Sequence, residues 1–111
     1  MEERVQISIL LDYYGMLFTE KQFNIMDLYY NQDFSLAEIA ELNKTSRQAT
    51  FDVIKKCHLQ LFTYEKMLNI YATNNKIEDN KALIIKKLET INDKKNPDII
   101  QDIINDIRNL N

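Results

Sequence analysis

The sequence predicts an all-α fold, and three features of the 111-residue chain point to it. Glycine and proline occur once each, which leaves too few turn residues for a sandwich or a barrel. Apolar residues recur at three- and four-residue intervals along most of the chain, as they do in amphipathic helices. Residues that start helices stand where these apolar runs begin. We therefore expect six helices.

The first two helices are predicted in the N-terminal third. Residues 4–18 place apolar side chains on one helical face, and this face consists of Val5, Ile9, Leu10, Tyr13, Leu17 and Phe18. Gly15 either loosens the last turn of this helix or lets a neighbouring helix come close. Thr19 and Gln22 have the spacing of a capping box, so we expect the second helix to begin there and run to about Tyr30.

A helix-turn-helix is predicted between residues 35 and 56, in the segment SLAEIAELNKTSRQATFDVIKK. Ser35 and Glu38 form a second capping box, and Ser46 opens another helical run eleven residues after Ser35. Between them Asn43-Lys44-Thr45 is a polar break, in which Asn43 tolerates the left-handed conformation that ends a helix. The small side chain of Ala40 suits the close approach of the two helices.

The helix that begins at Ser46 is predicted to be long, since no helix breaker follows before Asn74-Asn75. Its apolar positions step by three and four residues and form a seam that must be covered. These positions are Ile54, Cys57, Leu61, Tyr64, Leu68 and Tyr71. The first helices can cover the N-terminal half of the seam. The distal half needs either the C-terminal helices or another subunit.

Two further helices are predicted after Asn75. Residues 76–93 carry Ile77, Ile84, Leu88 and Ile91 on one face. Residues 93–96 read as a solvated link, and Pro97 suits the first turn of a final helix. We expect a helix-turn-helix domain with a long recognition-helix extension over residues 1–72. Residues 73–111 would form a C-terminal helical arm that packs on the same core or on a partner subunit.

The charge distribution singles out the predicted helix-turn-helix. The whole chain carries a net charge of −3, whereas nucleic-acid-binding domains are commonly basic. Residues 1–34 hold two basic and six acidic side chains, and residues 35–60 hold four basic and three acidic ones. The only segment with a positive excess therefore coincides with the predicted helix-turn-helix.

The candidate nucleic-acid site lies at the start of the recognition helix, because such helices read bases through their N-terminal residues. Arg47 can read guanine and Gln48 can read adenine, while lysines suit phosphates. Phe51 either packs on a thymine methyl group or belongs to the core or a subunit contact. The alternative for the whole segment is a helical corner that binds no ligand. The candidate residues are Lys44, Thr45, Ser46, Arg47, Gln48, Phe51 and Lys55.

No enzyme, metal or cofactor is predicted. Cys57 and His58 are adjacent on a helix and point in different directions, so they can neither chelate a metal together nor form a nucleophile–base pair. No phosphate-binding glycine loop or nucleophile elbow occurs. The tyrosine pairs at 13–14 and 29–30 could stack on bases, but their helical spacing favours core or interface positions.

The predicted location is the cytoplasm. A single cysteine excludes an internal disulfide framework and suits a reducing compartment. No run approaches the roughly 20 apolar residues that span a bilayer, so we expect no membrane insertion. The N-terminus is acidic, which argues against a secretory signal.

Residues 7–68 resemble the YlxM family of small bacterial proteins, through the pattern TEKQ…LYY…D-x-SLAEIAE…SRQA. The resemblance implies a helix-turn-helix like that of sigma factor region four, with residues 46–49 opening the recognition helix and Ile39 and Ala40 between the helices. It also implies a regulatory role in the signal recognition particle pathway, whose GTPase gene commonly neighbours the family's genes.

This chain departs from the YlxM pattern in the turn. Members usually have an apolar residue, then Gly or an acidic residue, then Val, where this chain has residues 43–45. Thr50 stands where a β-branched apolar residue is usual. We expect Leu42 and Val53 to fill the space between the two helices in spite of these changes.

Two functional hypotheses follow. The first is a non-enzymatic regulator that binds nucleic acid, DNA rather than RNA, as a homodimer formed through the long helix or the C-terminal helices. Components of the signal recognition particle would be its protein partners. The second is a protein-interaction adaptor without nucleic-acid binding, which the near-neutral helix-turn-helix and the acidic N-terminal third favour.

Overall fold

A computed structural model of the chain describes residues 2–91 and 97–110, and these contain six α-helices, one 3₁₀ turn and no strand. The all-α prediction is confirmed. The predicted link at residues 93–96 lies outside the described residues. The helices are α1 (Glu3–Tyr14), α2 (Glu20–Tyr30), α3 (Leu36–Leu42), α4 (Arg47–Leu68), α5 (Ile70–Thr90) and α6 (Pro97–Arg108), with the 3₁₀ turn at Gly15–Leu17.

The predicted capped helix starts at Thr19, Ser35 and Ser46 are confirmed. The Thr19 hydroxyl accepts from the Gln22 amide at 3.1 Å, and the Gln22 side chain accepts from the Thr19 amide at 3.0 Å. Ser35 and Glu38 form the same reciprocal pair at 3.1 and 3.0 Å. Hydrogen bonds from the Ser35 amide and then from its side chain hold the pKa of Glu38 below its usual value. Short polar sequences thus fix where α2 and α3 begin.

The chain divides into two compact units, Met1–Tyr71 and Ala72–Asn111. In the first unit α1, α2 and α3 all pack against α4. Its core is mostly aliphatic with one buried tyrosine, and the fully buried side chains are Ile7, Leu10, Leu11, Tyr14, Ile25, Met26, Ile39, Thr50, Cys57 and Leu61.

Gly15 permits a close approach between elements of the first unit. It has an ordinary right-handed helical backbone, with φ −57° and ψ −31°. A Cβ atom at this position would lie 2.6 Å from the ring of Phe23. Of the two roles that the sequence left open, close packing is therefore the one that the structure shows. Phe23 itself remains 40% exposed.

The long helix ends earlier than predicted. It stops at Leu68, and Asn69 adopts the left-handed conformation with φ 53°. The chain then starts α5 at Ile70, so Asn74 and Asn75 lie inside a helix and do not break one. The expected continuous helix from Ser46 to residue 73, followed by another from residue 76, is therefore wrong.

Tertiary hydrogen bonds explain the early break. The Ile70 amide donates to the hydroxyl of Tyr14 at 3.1 Å, and the Tyr71 amide donates to a carboxylate oxygen of Glu65 at 3.0 Å. Tyr14 in turn donates to the same Glu65 oxygen. These contacts satisfy backbone amides that the first turn of α5 leaves without partners inside the helix. Burial, and then the bond to Glu65, raises the pKa of Tyr14 above its usual value.

The second unit has a small core. Ile104 is buried, and Lys81 donates to Glu78 at 3.1 Å and to the backbone oxygen of Leu110 at 2.8 Å. Much apolar surface stays exposed on its two helices and just beyond their ends, at Ile77, Leu83, Ile84, Ile91, Ile99, Ile103 and Leu110.

We predict that Tyr14→Phe destabilises the protein by about 0.5–1.5 kcal/mol, because it leaves the Ile70 amide without its acceptor. Urea denaturation followed by circular dichroism measures the change. Glu65→Gln and the double variant complete a double-mutant cycle. Additive effects of the two substitutions would contradict a shared network at the α4–α5 junction.

Candidate nucleic-acid interface

The turn between α3 and α4 is a Schellman motif. The Thr45 amide donates to the Ala40 oxygen at 3.0 Å, and the Lys44 amide donates to the Glu41 oxygen at 3.3 Å. Lys44 has the left-handed conformation, with φ 52°. The sequence assigned that conformation to Asn43, and this assignment is wrong. Asn43 keeps a φ of −95°, and its side-chain amide donates to the Ile39 oxygen at 3.0 Å.

The two helices of the motif meet through small and β-branched side chains. Ile39 and Ala40 of α3 are buried, as the family resemblance implied. Thr50 of α4 is also buried, and its hydroxyl donates to the Ser46 oxygen at 3.2 Å. This bond satisfies the hydroxyl of Thr50, which stands where the YlxM pattern usually has a β-branched apolar residue. Leu42, which was expected to fill the interface, is instead 61% exposed.

All seven candidate residues lie at the surface of the first unit. The Ser46 hydroxyl accepts from the Ala49 amide at 3.0 Å, so its first role is to cap α4. Gln48 donates to the carboxylate of Asp52 at 2.9 Å, which is one turn further along the helix. A nucleobase that binds Gln48 must therefore compete with Asp52.

The structure divides the candidate residues between two depressions. Arg47, Gln48 and Phe51 line one together with Leu36 of α3. Lys55 lies in the other, which Phe51 and Leu36 also line. Lys44 and Thr45 lie in the turn that precedes both. Phe51 is 44% exposed, so it is neither a core residue nor fully solvated.

The second depression is an aromatic groove that the sequence analysis did not identify. Besides Phe51 and Lys55, it is lined by Tyr29, Tyr30, Leu36, Ile54, His58 and Leu59. The signal available in the sequence was the spacing of residues 51, 54, 55, 58 and 59, which places them on one face of α4. Which residues of α2 and α3 would oppose that face could not be read from a pattern.

His58 is held by two neighbours. Its Nδ1 lies 3.1 Å from the hydroxyl of Tyr30, and its Nε2 lies 3.4 Å from a carboxylate oxygen of Glu3. Cys57 beside it is buried in the core, and burial raises the pKa of its thiol. Within residues 2–91 and 97–110 no group of three or more potential ligands could hold a metal ion.

No helix in the described part of the chain is long and apolar enough to cross a membrane.

A helix that ends in a Schellman motif, a three-residue turn and a serine-capped second helix with a buried inner face define a helix-turn-helix protein. Residues 1–106 match the family described as "Putative helix-turn-helix protein, YlxM / p13 like", and the chain belongs to that family. The description names no catalytic activity.

Several clostridial proteins are similar to this chain. A UPF0122 protein of Clostridium kluyveri is 53% identical over 109 residues, which is 98% of both chains. One of Clostridium novyi is 48% identical over 109 residues, covering 98% of this chain and 95% of its own. One of Clostridium perfringens reaches 64% identity over 70 residues, which is 63% of this chain and 62% of its own.

We predict that Lys44→Gly stabilises the protein by about 0.5–1 kcal/mol. Relief of the left-handed strain outweighs the extra entropy that glycine gives the unfolded chain. Urea denaturation measures the gain. Lys44→Ala is the matched control, since it removes the same charge and keeps the Cβ atom. An equal gain in both variants would show that charge, and not backbone strain, is the cause.

Proposed function

We propose that this protein is a regulator that binds duplex DNA through the opening turns of α4. The observation that supports the proposal is the division of α4 into two faces. Thr50, Ile54 and Cys57 fix the helix in the core, and Arg47 and Gln48 project from its exposed first turn. This is the arrangement by which a recognition helix enters the major groove.

The proposed roles of the seven candidate residues differ. Arg47 and Gln48 read base edges. Lys44 and Lys55 contact phosphates on either side of the bases that Arg47 and Gln48 read. Thr45 and Ser46 lie in the turn before α4, where their backbone amides and hydroxyls approach the sugar-phosphate backbone of the DNA. Phe51 contacts the apolar edge of a thymine. The net charge of −3 indicates modest affinity, because few phosphates are neutralised.

We predict that Arg47→Ala combined with Gln48→Ala weakens DNA binding at least tenfold at low salt, because base contacts are worth about 1–3 kcal/mol each. Fluorescence anisotropy across a salt series measures the affinity and its salt dependence. Lys66→Ala, which removes one positive charge near the far end of α4, is the control. Unchanged affinity and salt dependence in the double variant would exclude the start of α4 as the DNA-binding surface.

We further propose that the protein acts as a homodimer whose contacts come from the exposed apolar side chains of the second unit. Ile99 and Ile103 lie one helical turn apart on α6 and are 56% and 40% exposed. Burial of such a face against a second copy is favourable. A homodimer would also carry two recognition helices, and helix-turn-helix dimers bind two half-sites on DNA.

We predict that Ile99→Lys with Ile103→Lys converts the dimer to a monomer, which light scattering after size-exclusion chromatography detects. Met16→Lys, at an 86% exposed residue of the first unit, is the control. A wild-type protein that is monomeric at micromolar concentration would contradict the proposed homodimer.

The second candidate function is a protein-interaction adaptor for components of the signal recognition particle. The acidic side chains of residues 1–34 favour it, because they repel nucleic acid while leaving a surface for a basic partner. The salt series separates the two functions. A stable complex with a particle protein, together with no duplex binding at low salt, would favour the adaptor.

A further inference from the structure

The aromatic groove is continuous with the proposed DNA-binding surface. Leu36 and Phe51 line both the groove and the depression that contains Arg47 and Gln48. The groove encloses about 360 Å³ beside the second to fourth turns of α4. A ligand that contacts Arg47 can therefore extend into the groove without crossing another element of the first unit.

The described side chains that line the groove are mostly apolar and none of them is acidic, and the carboxylate of Glu3 lies 3.4 Å from Nε2 of the lining residue His58. Phe51 and Leu59 form its exposed rim, and the buried side chain of Ile54 forms its floor. Lys55 is the one lysine or arginine, and no carboxylate occurs among the described side chains that line it. In a chain with a net charge of −3, this favours a ligand with a flat apolar body and an adjoining anion.

The polar atoms of the groove lie on one wall. The Tyr30 hydroxyl contacts His58 Nδ1 at 3.1 Å, and Glu3 holds the other nitrogen of His58. A tyrosine hydroxyl has one donor and two acceptor positions, so it can also bond to the edge of a ligand. Tyr30 is itself fixed edge-on against Tyr29, with ring centroids 5.0 Å apart. This wall therefore offers a hydroxyl that can bond to the polar edge of a ligand.

The size of the groove favours a single planar group over a protein segment. Its volume is near the lower end of the range for small-molecule pockets. A stable protein partner covers roughly 800 Å² on each side, which this groove cannot supply. Aromatic side chains beside a cation are the usual receptor for an unstacked base and its phosphate.

We propose that the groove binds an unpaired nucleobase next to the duplex, with its phosphate at Lys55. The inference rests on the proposed function, and it extends the ligand from a plain duplex to one that carries an extrahelical base. The base lies against Phe51 and Leu59 and directs its polar edge towards Tyr30. DNA and RNA both supply an unpaired base with an adjoining phosphate, so the proposed contacts apply to either.

Fluorescence anisotropy with the full-length protein tests the proposal. The probes are two hairpins with the same stem, one fully paired and one with a single unpaired nucleotide, each made as DNA and as RNA. Because stacking on an aromatic side chain is worth about tenfold or more in affinity, the unpaired nucleotide should tighten binding by at least that factor. The DNA and RNA arms show which backbone is preferred.

Three variants assign the effect to the groove. Phe51→Ala should bring the ratio of the two affinities close to one, and Phe51→Tyr should retain it because the ring remains. Leu68→Ala, at a half-exposed leucine on α4 outside the groove, should retain it as well. Circular dichroism checks that each variant is folded.

The outcomes separate this proposal from the proposed function. Equal affinity of the wild type for the paired and the bulged hairpin, in both DNA and RNA, would overturn the proposal that the groove binds an unpaired base. This holds even if paired DNA binds in an Arg47-dependent way. An unchanged ratio in Phe51→Ala would also overturn it and leave the groove to a protein ligand. If only the bulged hairpin binds, and its binding depends on Phe51, the result would support base binding in the groove and contradict the proposed recognition of a paired duplex. Binding of neither hairpin would overturn both.

Discussion

The packing of α4 against three other helices is the constraint on which the first unit depends. Its buried side chains, from Thr50 through Ile54 and Cys57 to Leu61, follow helical spacing, and the helix packs against α1, α2 and α3. Because one face is fixed in the core, the opposite side of the opening turn must face solvent. The position of Arg47 and Gln48 is therefore a consequence of core packing and not of any feature of those two side chains.

The ends of α4 are controlled in different ways. Its start depends on local chemistry, since the Ser46 hydroxyl accepts the Ala49 amide and the Schellman motif ends α3 just before it. Its end depends on distant contacts, because Tyr14 of α1 and Glu65 receive the first amides of α5. The start of α4 is thus specified locally, and its end is specified by contacts with the core.

The surface around the start of α4 combines two kinds of chemistry. The first turn offers a cation and an amide, as a helix that reads base edges does. The adjoining groove offers aromatic walls, a hydroxyl and one lysine, as sites for unstacked bases do. Phe51 lines both surfaces and is 44% exposed, whereas Ile54, one turn further along, is buried. The two proposals therefore concern one ligand that makes two types of contact.

The sequence by itself determined the helical class, the three capped starts and the position of the helix-turn-helix. These features are local, since Thr19, Ser35 and Ser46 bond to amides only three residues away. Tertiary structure decided the rest. The left-handed backbone at Lys44 and the exposure of Leu42 run against local preference. The break at Asn69 suits an asparagine, but the bonds from Ile70 and Tyr71 to Tyr14 and Glu65 decide that the helix ends there. The aromatic groove needs α2, α3 and α4 together, because a pattern shows which residues share a face but not what lies opposite that face.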